Sequence, residues 1–399
     1  MHVDKVISGT TVQPRPYQRR IITKVVDMYH GNYIRGDGSV EPAAKSVMIE
    51  SPTGSGKTVM GLLSCKVMQE YHPDLVIAWV AMRRNLLAQA ARENSSKGIN
   101  VSNIHFVSMF DDNPADLVEA KKSGKKVLMV IDEAQHDAAS SMAHLHNLVE
   151  PDYILGMTAT PFRTDRMKLC FEKVIKDAGI HSLIQDGYLS KFDHYSLPDW
   201  SVQTVADRYC AEPDTWGKSI FYFVNLEQCF ALHAEFQRRG VHSEVVTGSS
   251  DRDEQLERFR NGENKGLINC MVLTEGFDEP SLQTAWVRDS GRGCTMQMAG
   301  RAFRLHPDHP VKKIVQSKNT RWPFMRTAMP SMQYIWQNDA WLSLQVNPFL
   351  EDISMAARRA IATTVVQLPD YILKRQQKQP RRINPSGSGL GRESSFIHH

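Results

Sequence analysis

Short apolar runs alternate with amphipathic stretches along most of the chain. In the first half, runs rich in β-branched and aromatic residues predict buried strands at 75–81, 104–107, 126–131 and 152–157. Between them, apolar residues at helical spacing predict helices over 58–71, 84–93 and 138–149. Strands that alternate with helices in this way are typical of βαβ units on a parallel sheet.

A second series with the same alternation begins near residue 218. Its predicted strands lie at 219–224, 243–247, 267–272, 284–288 and 312–316. Its predicted helices lie at 226–240, 251–262 and 294–305. The chain is therefore expected to fold as two α/β domains in tandem, each built on a parallel sheet.

The irregular region 191–217 separates the two series. It carries Pro198 and Pro213 and shows neither period clearly, so it is predicted to be a linker. The first domain is then expected over 1–190 and the second over 218–318.

The pattern weakens again after the second domain. The segment 319–373 is rich in Trp, Met and Pro and is predicted to be a small, mostly helical extension. The tail 374–399 is basic and then rich in Gly and Ser, a composition typical of disorder.

Composition bounds the class of protein without deciding its function. A length of 399 residues suits two domains, and 41% hydrophobic with 23% charged residues is typical of a globular protein. The net charge of +4 is too small to indicate nucleic acid by itself. The six cysteines form no CxxC pair, and no apolar run reaches membrane-spanning length. The N-terminus lacks the apolar core of a signal peptide, so a cytoplasmic location is expected.

The sequence SPTGSGKT at 51–58 follows the apolar run 46–50 and opens a predicted helix. Glycines let backbone amides turn toward phosphates, and the helix N-terminus adds its positive end. In such a loop Lys57 is expected to reach the β- and γ-phosphates and Thr58 to hold Mg²⁺. Ser51 stands where the pattern has glycine. A glycine-rich turn without a ligand is the alternative, and the full GSGKT between strand and helix disfavours it.

The apolar run 127–131 ends in Asp132 and Glu133. A phosphate-binding loop needs a second acid to hold Mg²⁺ through water and a base to activate the attacking water. Asp132 suits the first role and Glu133 the second. In isolation, a strand followed by a polar turn is the commoner explanation of such a pair, and the loop upstream favours the site.

Three further patterns follow strands or lie on a helix: TATPFR at 158–163, LTEGFDEP at 273–280 and QMAGRAFR at 297–304. In the last, Gln297, Arg301 and Arg304 recur near the helical turn. A glycine inside a helix costs about 1 kcal/mol relative to alanine, so Gly300 predicts a close approach of another segment.

A glutamine precedes the phosphate-binding loop in PRPYQ at 14–18. The amide of Gln18 offers both a donor and an acceptor, which could read an adenine edge. A helix that starts with proline at its first position explains the same residues equally well.

In this order, the patterns RPYQ, SPTGSGKT, DEAQH, TATPFR, LTEGFDEP and QMAGRAFR resemble those of superfamily 2 helicases. The wording is most similar to that of the RadD-like, UvsW-like and XPB-like DNA helicases, and IQDGYLS at 184–190 resembles a turn of the RadD-like group. The resemblance covers 12–316. It implies two RecA-like domains, with ATP and Mg²⁺ in the cleft between them, that form an ATP-hydrolysing helicase or translocase acting in replication, recombination or repair.

The resemblance also implies roles for individual residues. Those implied at the nucleotide are Arg15 or Tyr17 beside the base, Gln18, Thr53, Gly54, Ser55, Gly56, Lys57, Thr58 and Asp278. Those implied in catalysis are Lys57, Glu133, Gln297, Arg301 and Arg304, and those at Mg²⁺ are Thr58 and Asp132. Coupling between ATP and nucleic acid is implied for Gln135, Thr158 and Thr160, and Gly276 shares the motif of Asp278. Because the arginines come from the second domain, hydrolysis is expected to need domain closure.

Nucleic acid is expected to cross the tops of both domains. The predicted contacts are Arg83, Arg84, Thr247, Ser249 and Thr274. A solvated helix start accounts for the two adjacent arginines equally well. Contacts of this kind go mainly to the backbone, which predicts low sequence specificity and strong salt dependence.

Two features depart from the nearest relatives. They usually carry His or Asp at the fourth position of the acidic motif, where this chain has Gln135, as in the DExQ motif of superfamily 1 motors. Gln135 is expected to pair with Gln297 or with Thr158. RadD-like proteins also carry a cysteine-rich C-terminal region, whereas this chain has no cysteine after Cys294, so zinc is not expected.

Three functions remain open at this point. A motor on single-stranded or branched DNA is favoured by the RPYQ and LTEGFD wording. The same motor could act on RNA, and a nucleotide-dependent clamp could bind nucleic acid without unwinding it. A monomer without membrane contact is expected, and protein partners are left open.

Overall fold

The computed structural model of the chain describes residues 2–111, 113–136, 140–160, 171–274 and 277–344. Its first half forms a six-stranded sheet from β1 (Ser46–Glu50), β2 (Val76–Ala81), β3 (Ile104–Ser108), β4 (Val127–Asp132), β5 (Tyr153–Thr158) and β6 (Lys173–Lys176). The order is β3-β2-β4-β5-β1-β6, and all neighbours are parallel. Strands β2 and β4 are buried along their whole length, as expected when helices cover both faces of a sheet.

The helices of this half are α1 (His2–Ser8), α2 (Pro16–His30), α3 (Lys57–Tyr71), α4 (Arg84–Ser96), α5 (Ala115–Lys122), α6 (Ser140–Val149) and α7 (Ile180–Gln185). Helix α2 has Pro16 at its first position, where the missing N–H is no loss, and ends at Gly31 with a left-handed φ of 67°. The alternation predicted here is confirmed, with ends shifted by a few residues.

The second half forms an eight-stranded sheet from β7 (Lys191–Leu197), β8 (Ser219–Tyr222), β9 (Ser243–Val246), β10 (Gly266–Asn269), β11 (Thr284–Trp286), β12 (Val311–Ser317), β13 (Gln333–Gln337) and β14 (Ala340–Ser343). The order is β14-β13-β7-β12-β11-β8-β10-β9, and every pair except β13–β14 is parallel. Its helices are α8 (Val202–Ala211), α9 (Pro213–Trp216), α10 (Leu226–Arg238), α11 (Arg252–Asn261) and α12 (Arg292–Gly300). The prediction of two parallel α/β domains is therefore confirmed.

The linker predicted over 191–217 is wrong. Strand β7 pairs with β12 along its whole length, and α8 packs Val205 and Tyr209 into the core of the second sheet. The two prolines that suggested an irregular segment lie at element boundaries. Pro198 follows the last residue of β7, and Pro213 is the first residue of α9, a position that proline favours.

The helical extension predicted over 319–373 is also wrong where the structure describes it. Residues 333–343 form a hairpin, and β13 extends the second sheet beside β7. Its two-residue turn, Asn338 and Asp339, has φ values of 52° and 56°, which suit the right-handed twist of paired strands. The rest of the extension and the predicted disordered tail lie outside the described residues.

Between the described strands, the chain passes from one sheet to the other at Ser190, just before β7. The Ser190 amide donates to the carbonyl of Phe303 at 3.0 Å, and its hydroxyl donates to the carbonyl of Arg304 at 2.9 Å. The crossing point is thus fixed to the C-terminal end of the QMAGRAFR segment. Among the helices in the described part of the chain, none is long and apolar enough to cross a membrane.

Candidate nucleotide site between the two sheets

The loop between β1 and α3 has the form of a phosphate cradle. Gly54 and Gly56 have φ values of 84° and 81°, a region in which other residues are strained. A Cβ on Gly56 would lie 2.6 Å from Nε2 of Gln18, and a Cβ on Gly54 would lie 3.0 Å from Cδ2 of Leu189. Conformation and close approach therefore both require glycine at these positions.

Ser51 stands where this kind of loop usually begins with glycine, and its hydrogen bond shows what the serine does there. Its buried hydroxyl donates to the buried hydroxyl of Ser55 at 2.8 Å, which ties the two ends of the turn together. Lys57 is the first residue of α3, and its ammonium donates to the carbonyls of Ser51 and Pro52 at 3.3 and 3.4 Å. Burial lowers the pKa of Lys57, and the carboxylates of Glu133 and Asp132 oppose that effect.

The acidic pair lies at the carboxyl end of β4, beside the loop. Asp132 is buried, and Glu133 follows it with a left-handed φ of 56°. Burial and then the charge of Glu133 raise the pKa of Asp132 to about 7, while Lys57 lowers it. A buried carboxylate beside another is stabilised by a cation, and hard oxygen ligands are those that Mg²⁺ prefers. The carboxylate of Asp132 and the hydroxyl of Thr58, which line the same cavity, fit such an ion.

Gln135 connects the acidic motif to the TAT motif. The hydroxyl of Thr158 donates to Oε1 of Gln135 at 2.7 Å, and Nε2 of Gln135 donates to Oε2 of Glu133 at 3.1 Å. The Thr160 amide in turn donates to the Thr158 hydroxyl at 2.9 Å. Of the two predicted partners of Gln135, the structure therefore shows Thr158. The last three residues of TATPFR lie outside the described residues.

Arg304 brings the second sheet to the phosphate-binding loop. Its guanidinium donates to both carboxylate oxygens of Asp278, at 2.6 and 2.9 Å, and to the Gly54 carbonyl at 3.4 Å. Arg301 is buried and donates to the carbonyls of Thr274 and Phe277. Those two carbonyls flank Gly276, which is outside the described residues. Both arginines line the same cavity as Lys57.

The close approach predicted for Gly300 is found at the C-terminal end of α12, where this glycine is the last residue of the helix. A Cβ on Gly300 would lie 3.4 Å from Cβ of Thr53, so the helix lies against the phosphate-binding loop. Gln297 on the same helix is half-buried, and in the described chain it lies outside the lining of the cavity. The structure thus brings Arg301 and Arg304 to the cavity, whereas Gln297 is not among the residues that line it.

The residues predicted at the base form a small aromatic cluster. The Arg15 guanidinium lies 4.9 Å from the ring centre of Tyr188, which in turn lies 5.5 Å from the ring centre of Tyr17. Tyr17 and Gln18 both donate to the carbonyl of Ser55, at 2.6 and 2.8 Å. Oε1 of Gln18 accepts from the Arg15 amide at 2.9 Å. In this structure both ends of the Gln18 amide bond the protein, so the residue positions the loop.

Residues from both halves of the chain line a cavity of about 510 Å³ at this site. Residues that line it and were not predicted are Thr11, Val12, Gln13, Val59, Leu86, Gln89, Glu93, Lys97 and Phe277. Tyr188, which stacks on Arg15, was also missed. It belongs to the IQDGYLS phrase, and an aromatic residue just before the crossing between domains is the signal that could have revealed it.

The residues predicted to contact nucleic acid fall into two groups. Arg83 donates to the Val272 carbonyl at 3.2 Å, and Arg84 is exposed beside it at the start of α4. Thr247 and Ser249 lie in the loop after β9, with their hydroxyls 3.2 Å apart. Thr274 is different, because it is buried and its hydroxyl donates to the Met271 carbonyl at 2.6 Å. A direct nucleic-acid contact from Thr274 is therefore not supported.

Two parallel sheets with a phosphate-binding loop on one and arginines from the other define a RecA-like, two-domain nucleotide-binding protein. Residues 11–163 match the family described as "Type III restriction enzyme, res subunit". The chain is similar to superfamily 2 helicases, both in this family match and in its helicase relatives. The narrower likeness to RadD-like, UvsW-like and XPB-like members remains a prediction.

Several proteins are similar in sequence. The 51.5 kDa protein of a Lactococcus phage is 25% identical over 316 residues, which covers 72% of this chain and 62% of that protein. The putative ATP-dependent helicase Irc3 of Saccharomyces cerevisiae is 26% identical over 327 residues, covering 67% of this chain and 48% of Irc3. The chain thus spans from about half to three fifths of these relatives.

Two solved structures share the fold. The ATP-dependent Type ISP restriction-modification enzyme LlaBIII bound to DNA has a TM-score of 0.53 at 15% identity, over 78% of this chain and 28% of that one. Saccharomyces cerevisiae Dbp5 bound to RNA and ADP BeF3 has a TM-score of 0.50 at 15% identity, over 79% of this chain and 88% of that one. At this identity the likeness concerns the fold alone.

Proposed function

We propose that the chain is an ATP-dependent motor that moves on or separates nucleic acid, with DNA as its substrate. The observation that carries this proposal is the contact of Arg304 with Asp278 and with the Gly54 carbonyl. It places a cation of the second domain at the phosphate cradle of the first. Hydrolysis that needs both domains gives each cycle a means of changing their arrangement.

The chemistry follows from the positions of the side chains. Lys57 and Arg304 neutralise the charge that develops on the transferring phosphoryl group. Glu133 orients the attacking water and accepts its proton. Mg²⁺, when held by Thr58 and Asp132, would neutralise phosphate oxygens. Gln135 links Glu133 to the TAT motif by two hydrogen bonds, so a movement of that motif is transmitted to the base through one side chain.

The choice of DNA rests on the sequences of the RPYQ and LTEGFD motifs and on the restriction enzymes among the similar proteins. LlaBIII is described as bound to DNA, and the matching family is described as a restriction enzyme subunit. RNA is the second candidate. It is supported by the structure of Dbp5 bound to RNA and by a 71-residue stretch that is 34% identical to the RNA helicase DBP5 of Kluyveromyces lactis.

The decisive experiment is an ATPase and unwinding panel with single-stranded, forked and four-way DNA and with RNA, each with Mg²⁺ or EDTA. We expect turnover that DNA stimulates, that EDTA abolishes and that Lys57→Ala lacks. Stimulation by RNA in place of DNA would favour the second candidate. Turnover in Glu133→Gln equal to that of the unaltered chain would instead support a clamp whose cycle does not depend on hydrolysis.

A further inference from the structure

Three large apolar side chains are exposed together at the start of α10. Val224, Leu226 and Phe230 are 61%, 44% and 53% exposed. Leu226 and Phe230 are four residues apart on the helix and share one face. Scattered apolar residues on a surface are ordinary, whereas neighbouring exposed apolar residues are a feature that binding surfaces share.

The cluster lies at the carboxyl edge of the second sheet. Val224 follows β8, and its carbonyl accepts from the thiol of Cys270, which follows β10, at 2.9 Å. Strands β9, β10 and β8 are parallel neighbours, so the Thr247 loop ends at the same edge. Arg83 of the first domain donates to the carbonyl of Val272, two residues beyond Cys270. The contacts predicted for a nucleic-acid strand thus lead to this cluster.

The first domain exposes apolar side chains at the equivalent edge. Met82 and Phe110, which follow the adjacent strands β2 and β3, are 38% and 56% exposed. The Met109 amide donates to the Ala81 carbonyl at 3.1 Å, so the two segments run side by side. Both sheets therefore expose apolar side chains at their carboxyl edges, and the contact between Arg83 and Val272 joins these two edges.

The carboxyl edge has a positively charged part and a separate apolar part. Arg288 lies beside Met271, with Nη2 3.2 Å from its sulfur, and Arg83 and Arg84 lie on the first domain, so phosphates can follow these cations. Glu227 follows Leu226 on the helix and is also exposed, so its negative charge disfavours phosphates at this end of α10. A strand whose backbone follows the arginines would therefore turn its bases toward the apolar side chains.

We propose that Val224, Leu226 and Phe230 form an apolar base platform, on which successive bases of single-stranded DNA lie face down. The inference rests on the proposed function and adds to it a mode of contact that does not involve phosphates. Because every base has an apolar face, binding to the base platform is tolerant of sequence.

The test is fluorescence anisotropy of the full chain with a labelled oligo-dT, repeated over a range of salt concentrations. Phe230→Ala is expected to weaken binding about tenfold, within the range known for base stacking. The slope of log affinity against log salt should stay unchanged, since no phosphate contact is lost. Phe230→Trp should restore affinity. Arg84→Ala should instead lower the slope by about 0.7, the value for one phosphate contact on a single strand.

Leu226→Ala is a second variant with a matched control. Leu342 on β14 is 43% exposed against 44% for Leu226, so Leu342→Ala removes a similar area from another surface. Leu226→Ala should weaken binding and Leu342→Ala should not. The base platform is excluded if Leu226→Ala and Phe230→Ala both bind oligo-dT as tightly as Leu342→Ala does. It is also excluded if Phe230→Ala lowers the salt slope. In either case DNA-stimulated turnover can persist, so the proposed function is not affected. If the unaltered chain binds neither oligo-dT nor RNA, the proposed function fails as well.

Discussion

Thr158 and Gln135 are joined by a buried hydrogen bond, in which the threonine hydroxyl donates to the glutamine at 2.7 Å. The same glutamine donates to Glu133, so the two bonds form a chain from the TAT motif to the base. Gln135→Ala should break this chain, while the Thr158 hydroxyl keeps the carbonyl of Thr160 as an acceptor at 2.8 Å. We expect nucleic-acid-stimulated turnover to fall about tenfold or more while nucleotide affinity stays within about twofold. Steady-state ATPase assays and titration with a fluorescent nucleotide measure both quantities.

Thr158 offers the matched test of that coupling. Thr158→Ser keeps the hydroxyl and should stay close to the unaltered chain, whereas Thr158→Val should reproduce the Gln135→Ala defect. The double variant Gln135→Ala with Thr158→Val should lower nucleic-acid-stimulated turnover no further than either single variant, because each change alone breaks the chain of hydrogen bonds from the TAT motif to Glu133. Additive losses would show that the two residues act separately.

Arg304 is predicted to be intolerant of lysine. Its planar guanidinium bonds both oxygens of Asp278 and also reaches Gly54, a geometry that an ammonium cannot reproduce. Arg304→Lys and Arg304→Ala should both lower kcat, by about 10³-fold for alanine if the arginine stabilises the transferring phosphoryl group. Asp278→Asn, which keeps the shape of its partner, should have a smaller effect. A tenfold or smaller loss in Arg304→Ala would assign Arg304 to domain contact rather than to catalysis.

Gly56 provides a test in which strain and steric clash can be separated. Gly56→Ala adds a Cβ at a φ of 81° and 2.6 Å from Gln18, so it should weaken nucleotide binding and lower the free energy of unfolding by about 1–3 kcal/mol. Gly124→Ala has a φ of 80° with open space around it, so it carries the strain alone. Thermal unfolding with and without nucleotide compares the two. Nucleotide binding that is unchanged in Gly56→Ala would contradict the close fit of Gln18.

Lys312 should make the second domain more stable at high pH. Its fully buried ammonium donates to the carbonyls of Pro280 and Leu282, and burial lowers its pKa to about 8. The unfolded chain then binds more protons than the folded chain between pH 8 and the ordinary lysine value, so stability rises with pH in that window. Relative to Lys312→Met, the free energy of unfolding should rise by at most about 1.4 kcal/mol per pH unit. Urea denaturation at several pH values measures the free energy of unfolding of the two proteins. If this free energy has the same pH dependence in both, Lys312 is not the source of the effect.

The sequence patterns predicted both sheets and most of the site because each signal is local. A run such as 127–131 is continuous and apolar, and the acids that follow it lie at a strand end in any parallel sheet. The phosphate-binding loop likewise depends on glycines and a lysine within eight residues. These features need no knowledge of distant contacts.

The errors arose where distant contacts decide. Pro198 and Pro213 were interpreted as parts of a loop, and only the pairing of β7 with β12 shows that they border regular elements. Thr274 looked like a surface contact, but the guanidinium of Arg301 bonds its carbonyl and the surrounding core covers its side chain. Gln297 lies on α12, which ends at Gly300, whereas Arg301 and Arg304 lie beyond that end, so the helical spacing expected for the three residues does not continue through the motif.

Among the described strands, the chain crosses from one sheet to the other once, at Ser190. The backbone carbonyl of Arg304 accepts from the hydroxyl of that serine, so the Arg304 backbone lies at the crossing. Strand β2, which leads to Arg83, is three strand spacings from β1, or about 14 Å. Strand β10, which leads to Val272, is four spacings from β7, or about 19 Å. A rotation of one domain about this crossing would therefore displace the Arg83–Val272 edge further than Arg304, so a small change at the nucleotide would become a larger one where the nucleic-acid strand is expected.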